Sequence, residues 1–177
     1  MINVCMAGAT GWTGKALSFG LREDSALKLV TAVSRSNSGK DLGEVLENKS
    51  WGVPVFAQVA SALENVQVLI DYTAHDAVKA NILLGIERGV HGIVGTSGLT
   101  AADFADIDAA AKANGVGVVA AGNFAITAAM AQAAALLVAK YIPNWEVIDY
   151  AKAGKPDVPS GTARELAERL SAVQRPT

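Results

Sequence analysis

The stretch Ile2-Asn3-Val4-Cys5-Met6-Ala7-Gly8-Ala9-Thr10-Gly11-Trp12-Thr13-Gly14 decides the fold. Its first six residues form a short apolar run bounded by glycine, the pattern of a strand buried on both faces. Glycines then follow at G-x-x-G-x-x-G spacing, a variant of G-x-G-x-x-G, and Lys15-Ala16-Leu17 continues as a helical pattern. Strand, glycine turn and helix, in that order, are the context a dinucleotide-binding loop needs. In this reading Gly8 permits the tight turn, Gly11 lets the backbone approach a pyrophosphate, and Gly14 lets the helix pack closely on the strand. Gly8, Ala9, Thr10, Gly11, Trp12, Thr13 and Gly14 are therefore candidate cofactor contacts. A tight strand-to-helix turn with no ligand would use the same glycines, so the downstream chain has to separate the two readings.

Leu27–Val33 reads as the second strand. In a dinucleotide fold the residue that ends this strand meets the adenosine ribose. A carboxylate there binds the 2′-hydroxyl and repels a 2′-phosphate. Here the position, twenty residues after Gly14, holds Ser34, followed by Arg35 and Ser36, with Lys40 nearby. A neutral hydroxyl beside an arginine suits a phosphate, so NADPH is expected in preference to NADH. The plainer alternative is that Arg35 and Lys40 are solvated surface charges.

Further along, Asp41–Glu47 suggests a short helix, residues 53–56 a short strand and residues 59–64 another short helix. Residues 66–72 form a clear apolar strand that delivers Asp71, Tyr72 and Thr73 to the ligand edge of an open sheet. His75–Arg88 has helical period. Residues 92–94 are strand-like and end in Gly95-Thr96-Ser97-Gly98, where glycines permit either a plain turn or a close approach of ligand to backbone. Thr100 and Asp103 form a capping pair for a helix over 101–113, and residues 116–121 make a further strand. Alternating strands and helices of this kind predict an α/β, Rossmann-like, doubly wound parallel sheet. Gly8–Gly14, Ser34–Ser36, Asp71–Thr73 and Gly95–Gly98 would then meet on one edge.

The character changes near Phe124. We expect a dinucleotide-binding domain over residues 1–124 and part of a second, α+β substrate domain over residues 125–177. A long alanine-rich helix is predicted over 126–140, with Pro143 marking its end at the latest. Trp145–Tyr150 alternates like a strand. Lys155-Pro156-Asp157-Val158-Pro159-Ser160-Gly161-Thr162 then leads into an amphipathic run, Ala163–Leu170. Ser-Gly-Thr at a helix start leaves backbone N–H groups and hydroxyls free for an anion such as a carboxylate, and Lys155 adds a positive charge. A capped helix after a proline turn is the alternative. This second part is shorter than the ~70 residues that usually make a self-sufficient core. It is expected to be completed by another chain, or to belong to a longer protein.

Composition narrows the function classes. The chain has 177 residues, 51% of them hydrophobic and 18% charged, with a net charge of −2, which argues against broad nucleic-acid or membrane-surface binding. Cys5 is the only cysteine, so no intrachain disulfide or cysteine metal cluster is available, and it reads as a core residue. His75 and His91 lack metal-ligand spacing, and no metal is expected. No apolar run spans a membrane and no signal-peptide pattern is present, so the cytoplasm is the expected location.

The motifs in order resemble the dihydrodipicolinate reductase (4-hydroxy-tetrahydrodipicolinate reductase) family of lysine and diaminopimelate biosynthesis. Gly8–Gly14 resembles its nucleotide loop, Asp71-Tyr72-Thr73 its Asp-Phe-Thr strand end, and Gly95-Thr96-Ser97-Gly98 its Gly-Thr-Thr-Gly. Ala121-Gly122-Asn123-Phe124 is similar to its Ala-x-Asn-Phe segment, which implies that Asn123 and Phe124 contact the cofactor. Lys155-x-Asp157-x-Pro159-Ser160-Gly161-Thr162-Ala163 matches the most specific signature of the set. The resemblance implies NAD(P)H as cofactor, a cyclic imine dicarboxylate as substrate, and carboxylate binding by Lys155, Ser160, Gly161 and Thr162. It also implies a homotetramer.

Three departures stand beside it. The family's catalytic His-His pair falls on Ala151 and Lys152, which leaves Lys155 or Lys152 as the expected acid, with Tyr150 behind them. Ala125-Ile126-Thr127 replaces Ser-x-Gly, and the rest of the family's substrate domain is not in these 177 residues. A changed substrate, another amino- or keto-dicarboxylate, is one alternative. A nucleotide-binding homologue without turnover is another, and Ala151 favours it.

Overall fold

The computed structural model describes residues 1–150, 154 and 158–173, and the chain divides into two compact units, Met1–Ala120 and Ala121–Thr177. In the first unit the strands are β1 (Ile2–Ala7), β2 (Leu27–Val33), β3 (Val55–Phe56), β4 (Val68–Asp71), β5 (His91–Val94) and β6 (Val118–Ala120). They form one six-stranded sheet in the order β3-β2-β1-β4-β5-β6, and every neighbouring pair is parallel. Helices α1 (Trp12–Glu23), α2 (Leu42–Glu47), α3 (Val78–Glu87) and α4 (Ala101–Asn114) make the crossovers. The doubly wound, Rossmann-like class expected from the sequence is the observed one.

The unbroken apolar strands follow from this architecture. Side chains alternate across a strand, and helices cover both faces of the sheet. Cys5 and Ala7 of β1 join Leu69, Val78, Ile82, Ile86 and Ile107 in one core. Val4 and Met6 join Leu21, Leu29, Leu42 and Ile70 in the other. Each fully buried aliphatic side chain contributes about 1.5–3 kcal/mol. Cys5 is fully buried, and burial pushes its thiol up to about 11, so it is an inert core residue.

Local chemistry sets the helix ends. Thr100 and Asp103 form the expected capping box at α4, and Gly115 closes that helix in the left-handed region. Asp41 caps α2 by accepting from the N–H groups of Gly43 and Glu44. The segment expected as a helix over 59–64 is only a 3₁₀ turn, Val59–Ser61, with Ala62 and Leu63 packed into the core beyond it.

The second unit holds α5 (Ile126–Val138) and α6 (Gly161–Val173). They pack on each other, Gln132 of α5 and Leu170 of α6 are both buried, and Arg169 Nη1 donates to Gln132 Oε1 at 2.9 Å. Trp145–Tyr150, expected as a strand, is not one. Its alternation survives as exposure: Trp145, Val147 and Asp149 are half-buried, while Glu146, Ile148 and Tyr150 face solvent. A strand exists only as part of a ladder, and among the described residues this unit offers no second strand to pair with. No helix among the described residues is long and apolar enough to cross a membrane.

Candidate functional site

Strand β1 lies between β2 and β4, so the chain winds in opposite directions on its two sides. Ligands of open α/β sheets bind at such a point, outside the carboxyl ends of the strands. The Gly8–Gly14 loop leaves β1 there. Gly8 has φ +81°, and a Cβ at this position would land on the Tyr72 carbonyl. A left-handed conformation and a contact with the end of β4 both require glycine. Gly8 and Ala9 donate their N–H groups to Val33 O at 3.0 and 3.2 Å, which ties the loop to the end of β2. A Cβ at Gly14 would collide with the Gly8 carbonyl, so helix α1 can start directly against the loop.

That start is open in a particular way. Gly11 is the N-cap and provides no side-chain acceptor. Lys15 N–H is the first to be satisfied within the helix, by Gly11 O at 2.9 Å. The N–H groups of Trp12, Thr13 and Gly14 precede any carbonyl of the helix, and the helix dipole adds partial positive charge. A bare glycine loop ending on such N–H groups fits a dinucleotide pyrophosphate. Trp12 extends into solvent at 97% exposure.

The end of β2 supplies a hydroxyl cluster. Ser34, buried, shares a 2.8 Å hydrogen bond with Thr10 and a 3.5 Å one with Ser36. Asn37 Nδ2 donates to Ser36 Oγ at 3.1 Å. Arg35 sits exposed on the 3₁₀ turn Arg35–Asn37, beside these hydroxyls in sequence. Thr10 and Ser34, singled out separately in the sequence, are thus brought together. Asn37 was missed, because nothing in its sequence neighbourhood distinguishes it from a turn residue.

The ends of β4 and β5 are interlocked. Asp71, the last residue of β4, is fully buried and not turned toward ligand. Thr73 N–H and Oγ1 donate to its carboxylate at 2.9 and 2.7 Å, Thr96 Oγ1 at 2.8 Å, and Asn81 Nδ2 at 2.8 Å. Tyr72 lies across Gly95, where a Cβ would run into its ring. Burial pushes the Tyr72 phenol upward, so it stays protonated. Ser97 follows Thr96 in the same loop.

In the second unit the structure joins two other predicted groups. Thr162 Oγ1 donates to Gly122 O at 3.3 Å and accepts from Asn123 Nδ2 at 3.4 Å. Phe124, the other residue of that segment, is 48% exposed. Ser160 Oγ accepts from Ala163 N–H at 3.3 Å, the N-cap bond of α6, and Ser160 N–H donates to Asp149 Oδ2 at 2.7 Å. Gly161 and Thr162 occupy the first turn of α6, where N–H groups precede the helix's own acceptors. Asp149 and Gly122 were missed as partners, since each meets its partner through folding and not through spacing. Lys152 and Lys155, and Ala151 with them, lie outside the described residues. Among the described residues no cluster of His, Cys, Asp or Glu is arranged to hold a metal ion.

Comparison with known proteins agrees with this fold. Residues 2–124 match the family model of the dihydrodipicolinate reductase N-terminus. A 4-hydroxy-tetrahydrodipicolinate reductase of Shouchella clausii is 35% identical over 179 residues, covering 99% of this chain and 67% of that protein. One from Listeria monocytogenes is 30% identical over 172 residues, covering 96% and 65%. The structure of a dipicolinate-bound dihydrodipicolinate reductase from Paenisporosarcina is 30% identical and superposes with a TM-score of 0.78, covering 98% of this chain and 67% of that one. The chain spans about two thirds of the length of these relatives (65% and 67% of the two proteins compared). With its sheet order, its glycine loop and a match to these proteins over nearly all of its own residues, the chain belongs to the dihydrodipicolinate reductase family.

Proposed function

We propose that this chain provides the dinucleotide-binding part, and the beginning of the substrate-binding part, of an NADPH-dependent 4-hydroxy-tetrahydrodipicolinate reductase. The observation that carries the reading is the convergence of the loops after β1, β2, β4 and β5 around the switch point, with the open N-terminus of α1 between them. The relatives' names supply the substrate, a cyclic imine dicarboxylate. When bound, the reduced nicotinamide supplies a hydride. Gly8–Gly14 holds the pyrophosphate, Ser34, Arg35 and Ser36 hold the 2′-phosphate, and Tyr72, Thr73, Gly95, Thr96 and Ser97 line the nicotinamide side; the family resemblance assigns Asn123 and Phe124 to the cofactor as well. No carboxylate stands at the end of β2 to repel a phosphate, which supports NADPH over NADH.

In the same reading Lys155, Ser160, Gly161 and Thr162 bind a substrate carboxylate, Ser160 from the N-cap and Gly161 and Thr162 from the first turn of α6. Lys155 or Lys152 donates the proton, because Ala151 has no proton to give. A homotetramer, as the family resemblance implies, and a cytoplasmic location, as the sequence pattern suggests, complete the assignment.

Ala151 favours a second reading, a nucleotide-binding protein without turnover, or a reductase acting on another amino- or keto-dicarboxylate. One experiment separates them. Oxidation of NADPH and of NADH is followed with freshly generated 4-hydroxy-tetrahydrodipicolinate, for the protein carrying its whole substrate-binding part and for its Arg35→Ala variant. Turnover is expected, with KM for NADPH raised about tenfold in the variant and KM for NADH unchanged, the size of one charge-assisted hydrogen bond. Equal losses for both cofactors would remove the phosphate role. Tight NADPH binding with no turnover would establish the second reading.

A further inference from the structure

We propose that Asp71 is a positioning residue for the nicotinamide end of the bound dinucleotide, acting through Thr73, Thr96 and Asn81. The inference rests on the dinucleotide reading above. A carboxylate with no exposure is costly unless its charge is met. No ion pair meets it among the described residues. Donors from three elements meet it instead: Thr73 from the loop after β4, Thr96 from the loop after β5, and Asn81 from α3. An ionised carboxylate only accepts, so the protons of both threonine hydroxyls are committed inward to it. The two loops are thereby held in one arrangement.

Two further contacts support the same arrangement. The Tyr72 ring fills the space a side chain at Gly95 would need, and the Tyr72 carbonyl fills the space a side chain at Gly8 would need. Residues 71–73 therefore touch the loops after both β1 and β5. The hydroxyl cluster at Ser34 serves the adenosine end of a dinucleotide and α1 its pyrophosphate, so the β4 and β5 ends face the remaining, nicotinamide end. Asp71 sets that end without being exposed to it. Asn81 lies inside α3 and is half-buried, so its influence on the ligand runs through Asp71 and through Thr73 Oγ1, to which it also donates at 3.4 Å.

The test uses Thr96→Val, Asn81→Ala and the conservative Thr96→Ser, with calorimetric titration of two probes. One is NADPH. The other is 2′,5′-ADP, which has the adenosine end and no nicotinamide. Thr96→Val and Asn81→Ala are each expected to weaken NADPH about tenfold, the loss of one hydrogen bond to a charged group, while 2′,5′-ADP changes less than about twofold and Thr96→Ser recovers NADPH binding. Amide hydrogen exchange of the ligand-free protein is expected to quicken at residues 72–73 and 95–98 and not at 34–37. Equal weakening of both probes, or unchanged exchange at those two loops, would overturn the role of Asp71. Failure of the unsubstituted chain to bind either probe would overturn the dinucleotide reading and this inference with it.

Discussion

The two units of this chain are held together by different physics. In Met1–Ala120 a parallel sheet carries an apolar core on each face, and the side chains of β1 from Val4 to Ala7 are at most 1% exposed. In Ala121–Thr177 the buried side chains among the described residues are Gln132, Ala139 and Leu170. Ile126, Met130, Tyr141 and Ile148 are 77%, 65%, 80% and 63% exposed. What joins the elements of this second unit is a set of polar cross-links: Arg169 to Gln132, Ser160 to Asp149, and Thr162 to Gly122 and Asn123. The first unit places its loops by burial, which is strong and insensitive to detail. The second places its candidate anion site by hydrogen bonds, each of which contributes little alone.

The largest expected effect breaks this contrast if it fails. Leu69 has no exposure, at the centre of one core, and Leu69→Ala should cost about 2–5 kcal/mol in urea unfolding. Ile126→Ala, at 77% exposure, should change stability by less than about 0.5 kcal/mol. Comparable losses for the two would mean that the face of α5 is covered in solution and that the second unit also rests on burial.

A smaller effect sharpens the same contrast inside the second unit. Arg169 Nη1 donates to Gln132 Oε1 at 2.9 Å and reaches Glu165 Oε1 at 3.4 Å. Arg169→Ala leaves the carbonyl of Gln132, a buried residue, without this donor, and should cost about 1–2 kcal/mol. Adding Gln132→Leu removes the orphaned acceptor, and the double variant should recover most of that loss. Thermal melts followed by far-ultraviolet circular dichroism read both. Additive losses would show that the hydrogen bond is not what joins α5 to α6.

What could be read from the sequence follows the range over which each signal acts. The β1 strand and its glycines are consecutive, and the Thr100–Asp103 capping box spans one helical turn, so both were legible. The doubly wound parallel class of the sheet followed from the alternation of strands and helices, while the strand order came only with the structure. Asp71 was expected beside Tyr72 and Thr73 on the ligand side, but its donors include Asn81 and Thr96, 10 and 25 residues away, and only folding shows that they point at it. The same holds for Asp149 and Ser160, 11 residues apart. Trp145–Tyr150 shows the reverse case. Its period of two is real in the exposure pattern, yet periodicity records which side chains face inward and not whether a neighbouring strand exists.

The smallest expected effect asks whether polar cross-links also hold part of the first unit. Asp41 caps α2 and also reaches forward across the loop that follows it. Its carboxylate accepts from Gly43, Glu44 and Trp51 N–H at 2.9, 3.2 and 2.8 Å, and from Val53 N–H at 2.8 Å. Partial burial acts against the charge, but these backbone donors outweigh it and hold the carboxyl below its ordinary value of 3.8. A carboxyl with a lowered folded pKa stabilises the fold fully above its unfolded value, and the contribution is lost as pH falls through the folded value. Asp41→Asn keeps an acceptor at the cap and removes the charge, so it should cost about 0.5–1 kcal/mol at pH 7. The difference from the unsubstituted chain should stay level down to about pH 5 and shrink below about pH 4, as Asp41 itself becomes protonated. Urea unfolding at a series of pH values measures it. A difference that persists unchanged at pH 2 would assign the effect to amide geometry and not to charge, and would leave burial as the main support of the first unit.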